Sequence, residues 1–223
     1  MEGIERASYI LGSSWMFIIL LVCLAILAYV QQSYPARFNR LFRATFNERM
    51  TRQVMREEMV FSHRASLLLL LTSGIVTSVL IVVLWNYISQ TEHGFSHFAL
   101  VLAILITTFL LRQGIRMVLD FIIGRESGLR EFNFVSSLVY KVLGMSLIPV
   151  VLCATLTRPD IALYFLGLAG LLITAFAIYR WYRGWKIGRY AGSGVYHLMI
   201  YLCTLEILPI FVLIKGVMVG SSI

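Results

Sequence analysis

The sequence predicts an all-α integral membrane protein with six transmembrane helices and one amphipathic interfacial helix on the cytoplasmic side. Hydrophobic residues make up 59% of the 223 residues and charged residues only 13%, whereas soluble domains carry about 25% charged residues. Several apolar runs are longer than the ~18 residues that mark a membrane helix. The chain is therefore expected to form a single transmembrane bundle over residues 1–223.

Six apolar runs are long enough to cross the membrane. The first follows the segment MEGIER, which has no basic n-region. At about 20 residues it is longer than the apolar part of a signal peptide, so it is expected to be retained as a span. Gly74 and Ser78 in the second run form a small-xxx-small step that favours close approach of another helix. The predicted spans are residues 9–30, 65–88, 98–122, 132–156, 161–181 and 195–219.

The polar segment between the first two spans, residues 31–64, is predicted to contain the amphipathic helix, at about residues 35–62. Apolar residues recur there at steps of three and four, which is typical of a helix with its apolar face in the headgroup region and its arginines toward phosphate. A solvated helical hairpin extending from the first span is the alternative. The recurring apolar residues are Phe38, Leu41, Phe42, Phe46, Met50 and Val54.

The basic residues predict which ends of the spans face the cytoplasm. Residues 31–64, 124–131 and 179–197 carry most of the Arg and Lys, and the positive-inside rule places such segments on the cytoplasmic side. The opposite loops are short and carry Arg158 beside Asp160. Both termini are therefore expected on the periplasmic side. The net charge of +8 is explained by membrane orientation, and no nucleic-acid partner is expected.

Two charges are predicted deep inside the spans. Lys141 lies about ten residues into the fourth span and Glu206 about eleven into the sixth, or about 15 Å from the cytoplasmic side at ~1.5 Å per residue. Both then reach the middle of a ~30 Å hydrocarbon core, where an unpaired charge costs several kcal/mol. We expect the fourth and sixth spans to touch and Lys141 to pair with Glu206. The pair then either fixes helix assembly or lets Glu206 titrate or bind a cation along a gated pathway.

Other polar residues in the spans extend this predicted buried charge network. Arg112 is the second candidate partner for Glu206. It shares one helical face with Arg116 and Asp120, which follow it at steps of four. Asn133 is equally well interpreted as a helix-start residue at the interface. The additional members of the network are Arg112, Arg116, Asp120, Asn133 and Tyr140.

The segment after the fifth span, YRWYRGWKIGRYAGSGVYH over residues 179–197, is predicted to be a cytoplasmic loop. Its arginines suit anionic headgroups, because a guanidinium binds phosphate bidentately, and its glycines free the backbone to approach a ligand. A flexible turn anchored by aromatic residues is the alternative. The residues predicted to bind anionic lipid headgroups are Arg180, Arg183, Lys186, Arg189, Arg40 and Arg43.

The sequence holds no recognisable catalytic or metal-binding constellation. It has no HExxH, no GxSxG, no clustered Asp pair and no set of histidines on facing spans that would hold haem. Its cysteines, Cys23, Cys153 and Cys203, lie within spans and form no CxxC motif. No catalytic residue, metal or cofactor is therefore expected, and an enzyme is the less favoured class.

Three segments together resemble one family. They are YLCTLEILP in the last span, RQGIRMVLDFIIG at the end of the third, and FNFVSSLVYK at the start of the fourth. The combination is similar to an uncharacterised family of multi-pass inner-membrane proteins from Bacteroidota, known as domain of unknown function 4271. The resemblance implies a protein of the bacterial cytoplasmic membrane with a bundle of about six spans. It implies no activity.

The favoured function is non-enzymatic. It is binding of anionic membrane lipids, or of a protein partner in the membrane, through the Arg-rich cytoplasmic face, as in a subunit of an envelope machine. The alternative is a small transporter or lipid flippase that uses Lys141, Glu206 and Arg112. A third class, an intramembrane enzyme acting on a lipid-linked substrate, lacks a catalytic constellation.

Overall fold

A computed structural model describes residues 13–47, 50, 51, 54, 63–89, 94–123 and 129–190. The predicted sixth span and Glu206 lie outside these residues. Within them the regular structure is entirely α-helical. The helices are α1 (Ser14–Ser33), α2 (Pro35–Phe46), α3 (His63–Ser89), α4 (Phe95–Ile123), α5 (Leu129–Leu156) and α6 (Pro159–Tyr190).

Five of these helices are long and apolar enough to cross a membrane. They correspond to the first five predicted spans, and α2 corresponds to the first part of the predicted amphipathic helix. The apolar stretches are Ser14–Ser33, Ser66–Ser89, Phe95–Gly114, Glu131–Leu156 and Asp160–Ile187.

Helices α3 and α5 form the centre of the bundle. About half of the apolar stretch is buried in each, 50% in α3 and 56% in α5, against 6% in α4. Helix α5 contacts α1, α2, α3 and α6, whereas α4 packs mainly on α3. The main core consists of Met16, Leu20, Cys23, Val76, Val79, Val83, Leu147, Ile148 and Val151, with further residues around them. The outer helices therefore present apolar side chains outward, as a membrane protein does toward lipid tails.

Helices α3 and α5 approach each other closely at Gly144. A Cβ atom added to Gly144 of α5 would lie 2.4 Å from the Cβ of Ser73 in α3, so only a glycine fits there. The Ser73 hydroxyl donates to the Tyr140 carbonyl at 2.9 Å. Gly74, where the sequence predicted the close approach, has no atom within 4 Å of an added Cβ. The close approach is instead at Ser73, one residue before Gly74 and therefore on a neighbouring face of α3.

An aromatic contact shows which helix ends lie together. The ring of Trp15 at the start of α1 lies 5.7 Å from Phe95 and 5.4 Å from Phe98, both at the start of α4. At the opposite end, the end of α6 packs on the start of α5, where Ile187 contacts the cluster containing Phe132. We call this opposite end, formed by α2, the first turns of α5 and the last turns of α6, the basic end. Successive spans therefore run in opposite directions in α1 and α3–α6, as the sequence predicted.

One predicted helix is interrupted, and one predicted boundary was wrong. Helix α2, the first part of the predicted amphipathic helix, ends at Phe46, because Asn47 has an extended backbone with φ −119° and ψ 117°, as expected for a residue type that favours helix ends; the predicted end near residue 62 lies outside the described residues. Helical bonding resumes where the Thr51 N–H donates to the Asn47 carbonyl at 3.0 Å. The predicted loop from residue 179 is instead helical through Tyr190. Its inward side chains, such as Ile187, pack on α5 and offset the low helix propensity of glycine.

Candidate functional site at the basic end

The end of α2 is capped by side chains of α6. The Thr45 carbonyl is among the last carbonyls of α2, which have no partner within their helix. It accepts hydrogen bonds from Nη1 of Arg183 at 2.9 Å and from the Tyr179 hydroxyl at 2.5 Å. A guanidinium at a helix C-terminus also interacts favourably with the helix dipole. Helix α2 is therefore fixed to α6 at its last turn.

Arg183 is almost completely buried, with 4% of its surface exposed. Its Nη2 donates to the Thr51 hydroxyl at 3.1 Å, and its Nη1 lies 3.4 Å from the Tyr179 hydroxyl oxygen. That Thr51 hydroxyl lies 2.5 Å from the Ala44 carbonyl and 2.9 Å from the Asn47 carbonyl, and it can donate to either. We call Thr45, Thr51, Tyr179 and Arg183 the Arg183 clamp. Within the described part of the chain, the acceptors around this guanidinium are all uncharged.

Burial of Arg183 changes its predicted role. The sequence placed it on a surface loop among residues that bind headgroups, whereas the guanidinium is inside the protein and holds α2 in place. Burying a charge is costly unless it is well hydrogen-bonded. Hydrogen bonds to two oxygen atoms of the segment around α2 and to one of α6 offset that cost. Arg183 is thus a positioning residue for the surface of α2.

Four of the remaining predicted headgroup ligands have described side chains at the basic end. Arg40 and Arg43 on α2 are exposed, and Arg180 and Lys186 on α6 are half-buried. Arg189 is in α6, but its side chain lies outside the described residues. The exposed arginines of α2 are three residues apart and share one helical face. The described part of this end therefore has a basic surface on a helix whose position is fixed.

Lys141 is buried with 4% of its surface exposed, and its Nζ donates to the Ser66 hydroxyl. Ser66 is the first residue of the apolar stretch of α3. The ammonium group therefore lies beside the start of the apolar stretch of α3, and its predicted depth in a membrane stays a prediction. Helical side chains lean toward the N-terminus of their helix, and a lysine stem lets the charge reach polar surroundings. Pairing of Lys141 with Glu206 stays a prediction, because Glu206 lies outside the described residues.

A small, partly open notch separates α2 from α5 beside Lys141. Its volume is about 10 Å³, close to the space of one water molecule. Three of its lining residues belong to α2 and four to α5. They are Phe38, Leu41, Phe42, Leu138, Lys141, Val142 and Met145.

The other members of the predicted charge network are not brought together in the described residues. Arg112 is half-buried in α4, and Arg116 and Asp120 follow in the same helix with side chains outside the described part. Tyr140 has its hydroxyl 3.4 Å from the Thr77 hydroxyl of α3. The Oδ1 atom of Asn133 is buried without a hydrogen-bond partner among the described residues. No salt bridge joins two described residues.

A family model described as "Domain of unknown function (DUF4271)" matches residues 16–217 of the chain. The chain belongs to this family. The match runs from the first turn of α1 through the predicted sixth span, so the whole basic end and the YLCTLEILP segment are parts of the DUF4271 domain. Neither the comparison with curated proteins nor the comparison with solved structures finds a match.

Sequence reasoning missed most of the clamp in this DUF4271 chain. Thr45, Thr51 and Tyr179 were not predicted as site residues, although they hold Arg183. A usable signal was present, because Phe176, Tyr179, Arg183 and Ile187 recur at steps of three and four and form one helical stripe. An arginine within an otherwise apolar and aromatic stripe indicates a buried guanidinium.

Proposed function

We propose that this DUF4271 chain is a non-enzymatic protein of the bacterial inner membrane that binds anionic lipid headgroups through its basic end. In this proposal residues 195–219 form a sixth span, α2 lies at the cytoplasmic interface, and both termini are periplasmic. A role as a subunit of an envelope machine in Bacteroidota fits such a surface.

The main support is the position of Arg40 and Arg43. Both are exposed on α2, and the last turn of that helix is hydrogen-bonded to α6 through the Arg183 clamp. A fixed helix loses little conformational freedom when its side chains bind a ligand, so less binding free energy is lost to ordering. Each basic residue near an anionic membrane surface contributes about 1 kcal/mol of attraction. These two arginines therefore supply the headgroup contact in our proposal.

Native mass spectrometry of the purified full chain with phosphatidylglycerol and phosphatidylcholine tests the proposal. We expect preferential retention of phosphatidylglycerol, and we expect the double variant Arg40→Gln/Arg43→Gln to reduce that preference about tenfold or more. Arg158→Gln is the matched control, because Arg158 is also exposed but lies at the opposite end of the bundle. Equal retention of the two lipids by the unmodified chain would refute lipid binding and leave a protein partner as the interpretation of the basic surface.

The transporter or flippase alternative has one observation in its favour, the burial of Lys141, since ionisable residues in spans often mark transport pathways. It predicts that Glu206→Gln and Lys141→Met variants fold and insert but lose flux of a charged lipid across reconstituted vesicles. Under the favoured function, Glu206→Gln keeps the preference for phosphatidylglycerol.

A further inference from the structure

Helix α5 carries a polar stripe along one face of its first turns. Asn133, Ser136 and Tyr140 recur at i, i+3 and i+7, so they share that face. Ser136 is 3% exposed, and its Oγ, like Oδ1 of Asn133, is buried without a hydrogen-bond partner among the described residues. A buried polar atom left in this way costs its desolvation free energy. We therefore expect the stripe to face a segment that brings hydrogen-bonding side chains.

Other faces of α5 are covered by described helices. Val135 packs in a cluster with residues of α6. Leu138, two residues after Ser136 and so on the opposite face of the helix, belongs to a cluster with Ala44 of α2. Helix α2 therefore lies on the side of α5 away from the polar stripe, and a further helix that packs on the α5–α6 pair meets the side that carries the stripe.

The chain that follows α6 is within reach of this side. Helix α6 ends at Tyr190, and the predicted sixth span begins at residue 195, so a link of about five residues spans at most ~17 Å. Packed helix axes lie about 8–10 Å apart, so the sixth span must begin beside α6 or beside a neighbour of α6. Among the described helices, α5 has the most extensive contact with α6. Because α5 and the sixth span both start at the basic end, they run parallel.

The predicted sixth span has a polar stripe of its own. His197, Tyr201 and Thr204 recur at i, i+4 and i+7, which places them on one face of a helix. They follow the start of that span by two, six and nine residues, and the polar residues of α5 follow Glu131, the start of its apolar stretch, by two, five and nine. Parallel helices rise equally, by about 1.5 Å per residue, so the two stripes reach similar depths.

We propose that the sixth span packs on α5 with its polar stripe against the polar stripe of α5. An imidazole and two hydroxyls both donate and accept hydrogen bonds, so they satisfy Oδ1 of Asn133 and Oγ of Ser136, and such bonds between helices help to hold a membrane bundle together. Glu206, two residues after Thr204, is then on the opposite face of its helix. Its carboxylate is directed away from α5 and does not pair with Lys141. The inference uses the sixth span of the proposed topology but not lipid binding.

Disulfide crosslinking of the full chain in isolated membranes tests this contact. The three native cysteines are first replaced by alanine, and mass spectrometry quantifies the linked peptides after oxidation with copper phenanthroline. A disulfide forms only where the two Cα atoms come within about 7 Å. We therefore expect several-fold more product from Ser136→Cys/Tyr201→Cys than from Ser136→Cys/Met199→Cys. The second pair is the matched control, because Met199 is two residues before Tyr201 and on the opposite face.

A second pair keeps the test decisive if the first does not fold. Asn133→Cys/His197→Cys is nearer the basic end and is compared with Asn133→Cys/Met199→Cys in the same way. Crosslinking to position 199 that equals or exceeds crosslinking to the stripe would overturn the proposal, and so would the lack of product from every stripe pair. Efficient crosslinking of Lys141→Cys to Glu206→Cys would also overturn it, because that contact turns the other face of the sixth span toward α5.

The outcomes separate this inference from the proposed function. Retention of phosphatidylglycerol by Arg40 and Arg43 does not depend on which face of the sixth span meets α5. Crosslinking at the stripe without a lipid preference refutes lipid binding alone. A lipid preference without crosslinking at the stripe refutes the packing of the sixth span alone.

Discussion

At Gly144 the backbone of α5 lies close to Ser73 of α3. We predict that Gly144→Ala destabilises the protein by about 1–3 kcal/mol, the usual cost of overpacking a core. The added Cβ would lie 2.4 Å from the Ser73 Cβ and 2.6 Å from its Cα, so the helices themselves must separate. Unfolding of the purified protein in detergent measures the effect.

The control for that substitution is Gly167→Ala. Gly167 lies in α6 with no atom within 4 Å of an added Cβ, so alanine there is expected to be neutral or slightly stabilising. The Ser73→Gly change in the Gly144→Ala background should restore only part of the stability, because the Cα of residue 73 remains. An unaltered unfolding transition in Gly144→Ala would show that the helices are not packed this closely.

Lys141 shows what can be predicted at the scale of one residue. Its burial follows from its place in an apolar run, and the sequence predicted that correctly. Its bond to Ser66 was not predicted. Counting residues along a span gives the depth of the Cα atom, whereas the ammonium lies a full side chain closer to the helix N-terminus. Partners of long side chains therefore depend on three-dimensional packing that spacing does not encode.

At the scale of elements, α2 depends on α6 for its position. We predict that Tyr179→Phe combined with Arg183→Gln raises hydrogen–deuterium exchange of the α2 amides, because the Thr45 carbonyl loses both of its donors from α6. The amides in the central turns of α3 should keep their protection, since α3 is packed in the main core. Mass spectrometry of peptides from Pro35–Phe46 reports the change.

Tyr182→Phe is the matched control for the tyrosine change. Tyr182 is in the same helix but 63% exposed, so its hydroxyl does not hold α2. Exchange of α2 that stays slow in the double variant would mean that packing of its apolar face on α5 is sufficient, and that Arg183 has no positioning role.

Within the described residues, the predicted elements were correct in type and less accurate at their ends. The apolar runs determined α1 and α3–α6, because length and hydrophobicity alone make a spanning helix. The end of α2 at Asn47 and the continuation of α6 to Tyr190 were not predicted. Both depend on tertiary contacts of the Arg183 clamp and of Ile187, which override local signals such as a glycine or an arginine.

At the scale of the whole molecule, the distribution of charge predicts orientation. We expect a cysteine at position 43 to be shielded from a membrane-impermeant thiol reagent in intact spheroplasts, and a cysteine at position 158 to react. Both arginines are exposed and lie at opposite ends of the bundle, and the positive-inside rule places the basic end in the cytoplasm. The Arg43→Cys variant should react only after the membrane is permeabilised. The reverse pattern of labelling would invert the proposed topology.

The sequence also predicted the family and, within the described residues, the five helices long and apolar enough to cross a membrane. The contact expected between the fourth and sixth spans falls on residues outside the described part. Arg183 shows what the positive-inside rule cannot predict about a single residue. Positive charges near spans report orientation on average, but the average does not say which arginine turns inward to bond the Thr45 carbonyl.

Helix α6 has 32 residues, or about 48 Å at ~1.5 Å per residue, whereas the hydrocarbon layer is ~30 Å thick. Its last turns, with exposed Trp181, Tyr182 and Trp185, must therefore project beyond the hydrocarbon layer. A long span adapts to a thinner or thicker bilayer by changing its tilt. Because Arg183 and Tyr179 attach α2 to this projecting part, such a tilt also rotates the arginines of α2 relative to the membrane plane. In the proposed orientation, we therefore expect membrane thickness to change how the positive charges of α2 are presented.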